Sequence, residues 1–264
     1  MRWLRLVVLF MLACVGPAHA AAWMRDAGGW QVISSLIYTD ARHSFGNGSR
    51  AGTPTQFRRA LLQTDTEYGW SDALSLFLRT ESAFVHVRDA WNRSDAVSNA
   101  FEGGFRYHLG DNVLTDYDTL SVEAMARQAG AFNFSVSADG TAGGRAGGLR
   151  LLYGLPFKLA GLNGFANAEA GQRWLSAPRP DETVLDLTAG LWLTRRTMVM
   201  LQNFNVVSGP ARRPYVRYRS HKLQLSYVWR WSPRFALQGG AYFSPAGANA
   251  LQESGLVLLL WSNF

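Results

Sequence analysis

Charged side chains recur at every second position in several segments of the chain, a spacing that gathers them on one face of a β-strand. Asp65 and Glu67 alternate with Thr64, Thr66 and Tyr68, and Arg79 and Glu81 alternate with Leu78 and Thr80. Glu102 and Arg106 alternate with Phe101, Phe105 and Tyr107. The same parity adds Glu123, Arg150, Glu169, Arg173, Asp186 and Lys222. Interleaved acids and bases on one surface support two kinds of chemistry: an ion-pair network that fills and stiffens an interior, or a polar path whose charges select solutes. A three-residue turn from Ser71 to Ala73 would pair Trp70 with Leu74 and therefore set Asp65 across from Arg79.

A second charged group is more one-sided. Arg42 and Arg50 lie with His43 in one polar stretch, followed by Arg58 and Arg59. Arg212, Arg213, Arg217 and Arg219 surround Tyr215 and Tyr218 in another. Lys158 and Lys222 are the only lysines, so the formal charge of +7 is almost wholly guanidinium. Guanidinium favours bidentate contacts with phosphate and carboxylate. Such clusters suit lipid headgroups, anionic solutes or polysaccharide.

Hydrolytic chemistry has weak support. Ser220 and His221 are adjacent, and neighbours on a strand point to opposite faces, while Ser82 and His86 share a face but lie too far apart for direct contact. No two histidines have metal-ligand spacing, so no metal is expected. The glycine-rich stretch 138–144 lacks the following Lys-Ser/Thr of a phosphate loop. The residues therefore imply neither a cofactor nor an enzyme.

Period-2 alternation also predicts the elements that position these groups. Twelve strands are expected, over 30–39, 60–70, 74–88, 100–109, 117–127, 147–155, 165–175, 183–193, 197–207, 221–231, 235–244 and 254–264. Short turns at 71–72, 110–112, 194–196 and 232–234 alternate with longer polar loops at 40–56, 89–99, 128–144 and 208–220. Aromatic residues make up 13% of the chain and charged residues 17%. Past the N-terminal region no apolar stretch approaches the roughly 20 residues of a spanning helix, which leaves a closed barrel as the route across lipid. Short turns at one end and long loops at the other are the outer-membrane pattern. The fold class expected is all-β, a transmembrane antiparallel up-and-down β-barrel of about twelve strands.

The two ends agree with that reading. Arg2 and Arg5, the apolar run Leu6 to Val15 and the site Ala18-His19-Ala20 read as a secretory signal over residues 1–20, with the barrel domain over 21–264. A lipoprotein reading at Cys14 fits poorly, because Met11 and Leu12 stand where small residues are expected, and cleavage after Ala20 leaves no cysteine. Export argues against nucleic acid as a partner despite the basic charge. At the other end Leu256, Leu258, Leu260 and Phe264 share one face. This segment resembles the closing strand of Gram-negative outer-membrane barrels, which in that class is recognised by the barrel assembly machinery; Ser262 departs from the apolar residue usual there. A buried terminal strand of a soluble sandwich is the alternative.

Several stretches extend the resemblance: Ala22-Trp23, Gly29-Trp30-Gln31-Val32-Ile33, Glu67-Tyr68-Gly69-Trp70, Leu149-Arg150-Leu151-Leu152-Tyr153-Gly154, Gly164-Phe165, Leu185-Asp186-Leu187-Thr188, Leu201-Gln202-Asn203-Phe204 and Glu253-Ser254-Gly255-Leu256. They resemble a family of proteobacterial outer-membrane barrels of mostly unassigned function, grouped with an exopolysaccharide-linked, XagA-like protein and, more distantly, with phenol-degradation-pathway barrels. That resemblance implies residence in the outer membrane, among its lipid and lipopolysaccharide. It is compatible with a porin-like channel for small solutes or polysaccharide export. The alternative to that preferred reading is a sealed barrel that binds lipopolysaccharide or biofilm matrix through its arginine-rich loops.

Overall fold

The computed structural model describes residues 22–47, 51–88, 93–129, 144–212 and 215–264; the expected signal segment 1–20 lies outside them. The chain forms β1 (Trp30–Phe45), β2 (Ala51–Ser71), β3 (Leu74–Arg88), β4 (Arg93–Asp111), β5 (Thr119–Ala129) and β6 (Gly144–Leu159). It continues with β7 (Leu162–Leu175), β8 (Glu182–Trp192), β9 (Thr197–Ser208), β10 (Arg219–Arg230), β11 (Phe235–Ala248) and β12 (Leu251–Asn263). Each strand pairs antiparallel with its neighbours in sequence, and β12 pairs with β1 to close the barrel. Closure leaves no sheet edge.

The predicted register between β2 and β3 holds as far as Gly69, with Asp65 opposite Arg79 and Thr66 opposite Leu78. The turn differs from the expected one: Ser71 rather than Trp70 pairs with Leu74, and a bulge between Gly69 and Ser71 takes up the extra residue. Several strands run further than the alternation suggested. β1 continues to Phe45 and β12 begins at Leu251, because Ala41, Phe57, Leu61, Val85, Val87 and Leu251 pack as one apolar cluster inside the sheet and give the strand ends something to bury. β6 continues through Pro156, past the expected end of the strand at 155. Pairing of β6 with β5 ends at Gly154, so past that point β6 has only β7 beside it and the missing N–H of Pro156 costs no ladder bond on its other side. The β6–β7 hairpin turns at Ala160 and Gly161, both at positive φ (49° and 79°), the conformation a two-residue turn requires.

In contrast, β5 starts later than expected, at Thr119, because Asp118 organises the preceding turn. Its carboxylate accepts the backbone N–H groups of Val113, Leu114 and Thr115 at 2.6, 2.8 and 2.7 Å, and the Tyr153 hydroxyl at 2.8 Å. Burial acts to raise this carboxyl, but the four donors outweigh it and hold it below the usual carboxylate range.

Alternation sorts the strands into two surfaces. Leu36, Leu62, Leu151, Leu201, Leu225 and Leu256 stand exposed on the outside, whereas their neighbours Ser35, Leu152, Gln224 and Val257 are buried inside. Aromatic rings gather where the barrel closes. Trp30 lies 4.5 Å from Tyr68 between ring centroids, Trp231 stacks on Phe235 at 5.9 Å, and Phe235 meets Phe264 edge-on at 6.1 Å. Trp30 and Phe264 exchange both backbone hydrogen bonds at 2.9 Å, fastening the last residue to the first strand. No helix is long and apolar enough to cross a membrane among the described residues. An apolar outer belt on a closed sheet is the alternative solution.

Leu258 lies on the outer face of β12 and its neighbour Leu259 on the inner face. Leu258→Arg should destabilise the protein by about 2–4 kcal/mol, the usual cost of arginine in the lipid-facing belt near the midplane. Leu259→Arg should cost clearly less. Urea unfolding in lipid vesicles measures both, and equal costs would contradict the assignment of the two faces.

Candidate functional site

The inner surface of the barrel is the candidate site, and the ladder register assembles it. Asp65, Arg79, Glu102 and Arg127 stand directly opposite one another across β2, β3, β4 and β5. Arg106, Glu123 and Arg150 do the same across β4, β5 and β6. Sign alternates from strand to strand, so each charge has an opposite one beside it.

The ion pairs follow from that placement. Arg79 binds Asp65 through Nε and Glu102 through Nη1, the latter at 2.9 Å. Arg106 donates to Glu67 at 3.1 Å and to Glu123 at 2.8 Å. Arg127 grips both oxygens of Glu81, at 2.8 and 2.7 Å, and lies 3.5 Å from Glu102. Arg150 lies 3.3 Å from Glu169 and 3.8 Å from Asp186, two acids that face each other across β7 and β8. Arg173 pairs with Glu182 at 3.0 Å and Lys222 with Glu253 at 2.7 Å. Pairing on this scale is what keeps ionised groups tolerable away from water.

Thus Asp65, Glu67, Arg79, Glu81, Glu102, Arg106, Glu123, Arg150, Glu169, Arg173, Asp186 and Lys222 all sit in ion pairs. Sequence reading missed Arg127, Glu182 and Glu253 as members of this network. Arg127 shares the parity of Glu123 and was legible in principle. Glu182 falls where a loop gives way to a strand, and alternation carries little information there.

The external arginines are not one group. Arg58 is exposed and pairs with Asp40 at 3.2 Å, and Asp40 also holds Arg42 at 3.4 Å. Arg59 does not belong to that rim: it is buried and lies 3.5 Å from Thr39 Oγ1, inside the barrel. Adjacent residues on a strand face opposite ways, and Arg59 has the inward parity of Gln63 and Asp65. Arg212, Arg217 and Arg219 are exposed, while Arg50 and Arg213 lie outside the described residues. Neither serine–histidine pair is in contact among the described residues. Ser82 donates to Asn99 at 2.7 Å, His86 meets Asp95 at 2.5 Å, and His221 meets Asn205 at 2.6 Å.

The segment before β1 enters the barrel, which period-2 reading had no means of finding. Ala22 is fully buried, and its carbonyl accepts the Ser121 hydroxyl at 2.8 Å. Trp23 packs edge-on against Phe165 with centroids 6.4 Å apart. Arg25 donates to Gln31 at 2.5 Å and lies 3.7 Å from Glu67. Two glycines make room for this segment: a Cβ on Gly154 would come within 2.8 Å of the Trp23 ring, and one on Gly69 within 2.2 Å of the Asp26 carbonyl. Arg25 also lines a cavity of about 360 Å³. One wall carries Asp65, Glu67, Arg79, Arg106 and Glu123; the other carries Gln202, Gln224, Gln238, Phe204 and Trp261.

A closed antiparallel barrel with an apolar belt and a charged, partly hollow interior defines the class: a β-barrel of the outer-membrane type. Solved structures share the fold at low sequence identity. An outer membrane channel from Pseudomonas putida superposes with a TM-score of 0.70 at 13% identity, over 95% of this chain and all 100% of that one. The translocator domain of the autotransporter NalP from Neisseria meningitidis gives 0.56 at 10% identity, covering 100% and 95%. The beta domain of the Bordetella autotransporter BrkA gives 0.54 at 14% identity, covering 90% and 100%. No protein-family profile and no curated protein matches the sequence.

Arg127→Met removes the bidentate partner of Glu81 and one neighbour of Glu102, leaving buried carboxylates short of positive charge. The expected loss of stability is about 3–5 kcal/mol, the usual range for breaking a buried pair from one side. Arg127→Met combined with Glu81→Gln should recover part of it. A double-mutant cycle read by equilibrium unfolding tests this, and strictly additive effects would rule out the coupling.

Proposed function

We propose that this protein is a porin-like channel of the outer membrane that passes small solutes through the lumen. The observation that carries the reading is the polar cavity inside a barrel whose outer belt is apolar, with the segment 22–29 seated at one end of it. The likeness in fold to the Pseudomonas putida outer membrane channel supports it. Export of a polysaccharide is a further use of the same path. The competing reading, a sealed barrel that binds lipopolysaccharide or matrix through Arg58, Arg212, Arg217 and Arg219, draws support from the mutual neutralisation of the internal charges.

Planar bilayers separate the two. The full chain should give discrete conductance steps, and deletion of residues 22–28 should raise the conductance several-fold by clearing the mouth. Silence at all voltages in both proteins would sink the channel and favour the sealed barrel.

Assembly into the membrane is proposed to depend on the terminal strand and its last residue. Deleting Phe264 removes one ring from the aromatic group and the hydrogen-bond pair with Trp30. Surface assembly in cells should fall several-fold while refolding of the purified chain in detergent persists. An equal loss in both assays would assign Phe264 to stability rather than to recognition by the assembly machinery.

A further inference from the structure

The two walls of the lumenal cavity differ in kind. On the charged wall Asp65, Glu67 and Glu123 face Arg25, Arg79 and Arg106, and every one of these groups has an opposite charge beside it. The wall therefore offers no net field. A charged solute entering it gives up hydration for little return, and it also competes with pairs already made.

The opposite wall holds polar groups that lack partners. Gln238 is only 2% exposed and lines the cavity; its backbone is held in the ladder, and its side chain makes no hydrogen bond among the described residues. Trp261 Nε1 is buried with no acceptor, on the strand beside it. Gln224 and Gln202 are cross-strand partners; Gln224 donates to Gln202 at 2.8 Å and to Ser226 at 3.0 Å. That leaves the amide N–H groups of Gln202 and the carbonyl of Gln224 open to the cavity. A buried indole N–H is rarely left unsatisfied without a reason, and the free amide groups beside it face the same cavity. Phe77, Phe204 and Trp261 add aromatic surface to the same space.

We infer that this cavity binds an uncharged polyhydroxyl solute, a small saccharide, through Gln202, Gln224, Gln238 and Trp261. Hydroxyls both donate and accept, so they satisfy a wall that presents amide N–H, amide carbonyl and indole N–H together. The C–H faces of a sugar ring supply the apolar contact that the aromatic side chains ask for. The cavity of about 360 Å³ falls within the span of roughly 300–1,000 Å³ typical of small-molecule sites. The inference rests on the channel reading, because a solute reaches this site only through the lumen.

Isothermal titration of the full chain in detergent with maltose, gluconate and glucosamine tests it, alongside bilayer conductance on the same preparations. Maltose should bind, with the two charged probes at least several-fold weaker. Gln238→Leu and Gln202→Leu should each weaken maltose by about tenfold, the equivalent of one lost hydrogen-bonding group, with the heat-dependent gel shift of a folded barrel retained. Equal or tighter binding of gluconate or glucosamine overturns the inference, as does unchanged maltose affinity in both folded variants. No binding of any probe also overturns it and assigns the open amides to water. Conductance without maltose binding sinks the saccharide site and leaves the channel standing, whereas absence of conductance with and without residues 22–28 removes the channel itself.

Discussion

Lipid offers no hydrogen-bond partner to a backbone N–H or C=O, and the whole structure depends on that constraint. A sheet satisfies it only by closing, so the contact between the first and last strands carries more weight than any other. β1 and β12 pair from Gln31 with Asn263 through to Ala41 with Glu253 before the register shifts, and Phe264 and Trp30 add one further exchange at the end. The aromatic rings of Phe235, Trp231 and Phe264 cluster beside this seam, where the pairing ends and the belt gives way to water. The seam is thus fastened by backbone and side chains together.

Once the sheet is closed, alternation forces every inward residue to share a narrow space. Charges there are tolerable only if paired, and a cylinder of antiparallel strands supplies partners from either side. Arg79 lies between Asp65 and Glu102, Arg106 reaches Glu67 and Glu123, and Arg150 reaches Glu169 and Asp186. Such a network adds little net stability compared with apolar packing, but each member becomes costly to remove alone. The interior is consequently fixed as a set. The apolar clusters around Phe57 and around Met198 occupy the stretches that the charges leave.

Much of this was legible because one period governs both faces. Leu62, Gln63, Thr64 and Asp65 declare their sides by parity alone, and Asp65 does meet Arg79, although a bulge between Gly69 and Ser71 and a tighter turn deliver that pairing rather than the expected three-residue turn. What escaped were features decided by something other than parity. Arg58 and Arg59 look like one cluster in sequence, yet the pleat sends Arg58 outward to Asp40 and Arg59 inward toward Thr39. Pro156 looks like a terminator until the end of β5 is known, because its tolerance depends on which neighbour is missing. The contacts of Ala22, Trp23 and Arg25 were hidden for a deeper reason: an irregular segment has no period, and its place is set by cavities in other strands.

That last segment shows how the barrel separates what is fixed from what can be removed. Arg25 is its only charge in contact with the network, and it approaches Glu67, which Arg106 holds more closely at 3.1 Å against 3.7 Å. Withdrawal of Arg25 therefore leaves Glu67 paired. Ser121 would lose one acceptor and Phe165 one edge-on ring, whereas no strand would lose a ladder partner apart from the contacts around Gly28, Gly29 and Gly69. Yet Gly154 and Gly69 keep the space the segment fills, and any larger residue at either position would collide with it. A segment that is closely accommodated but lightly held can close one end of a lumen without being part of what holds the lumen together.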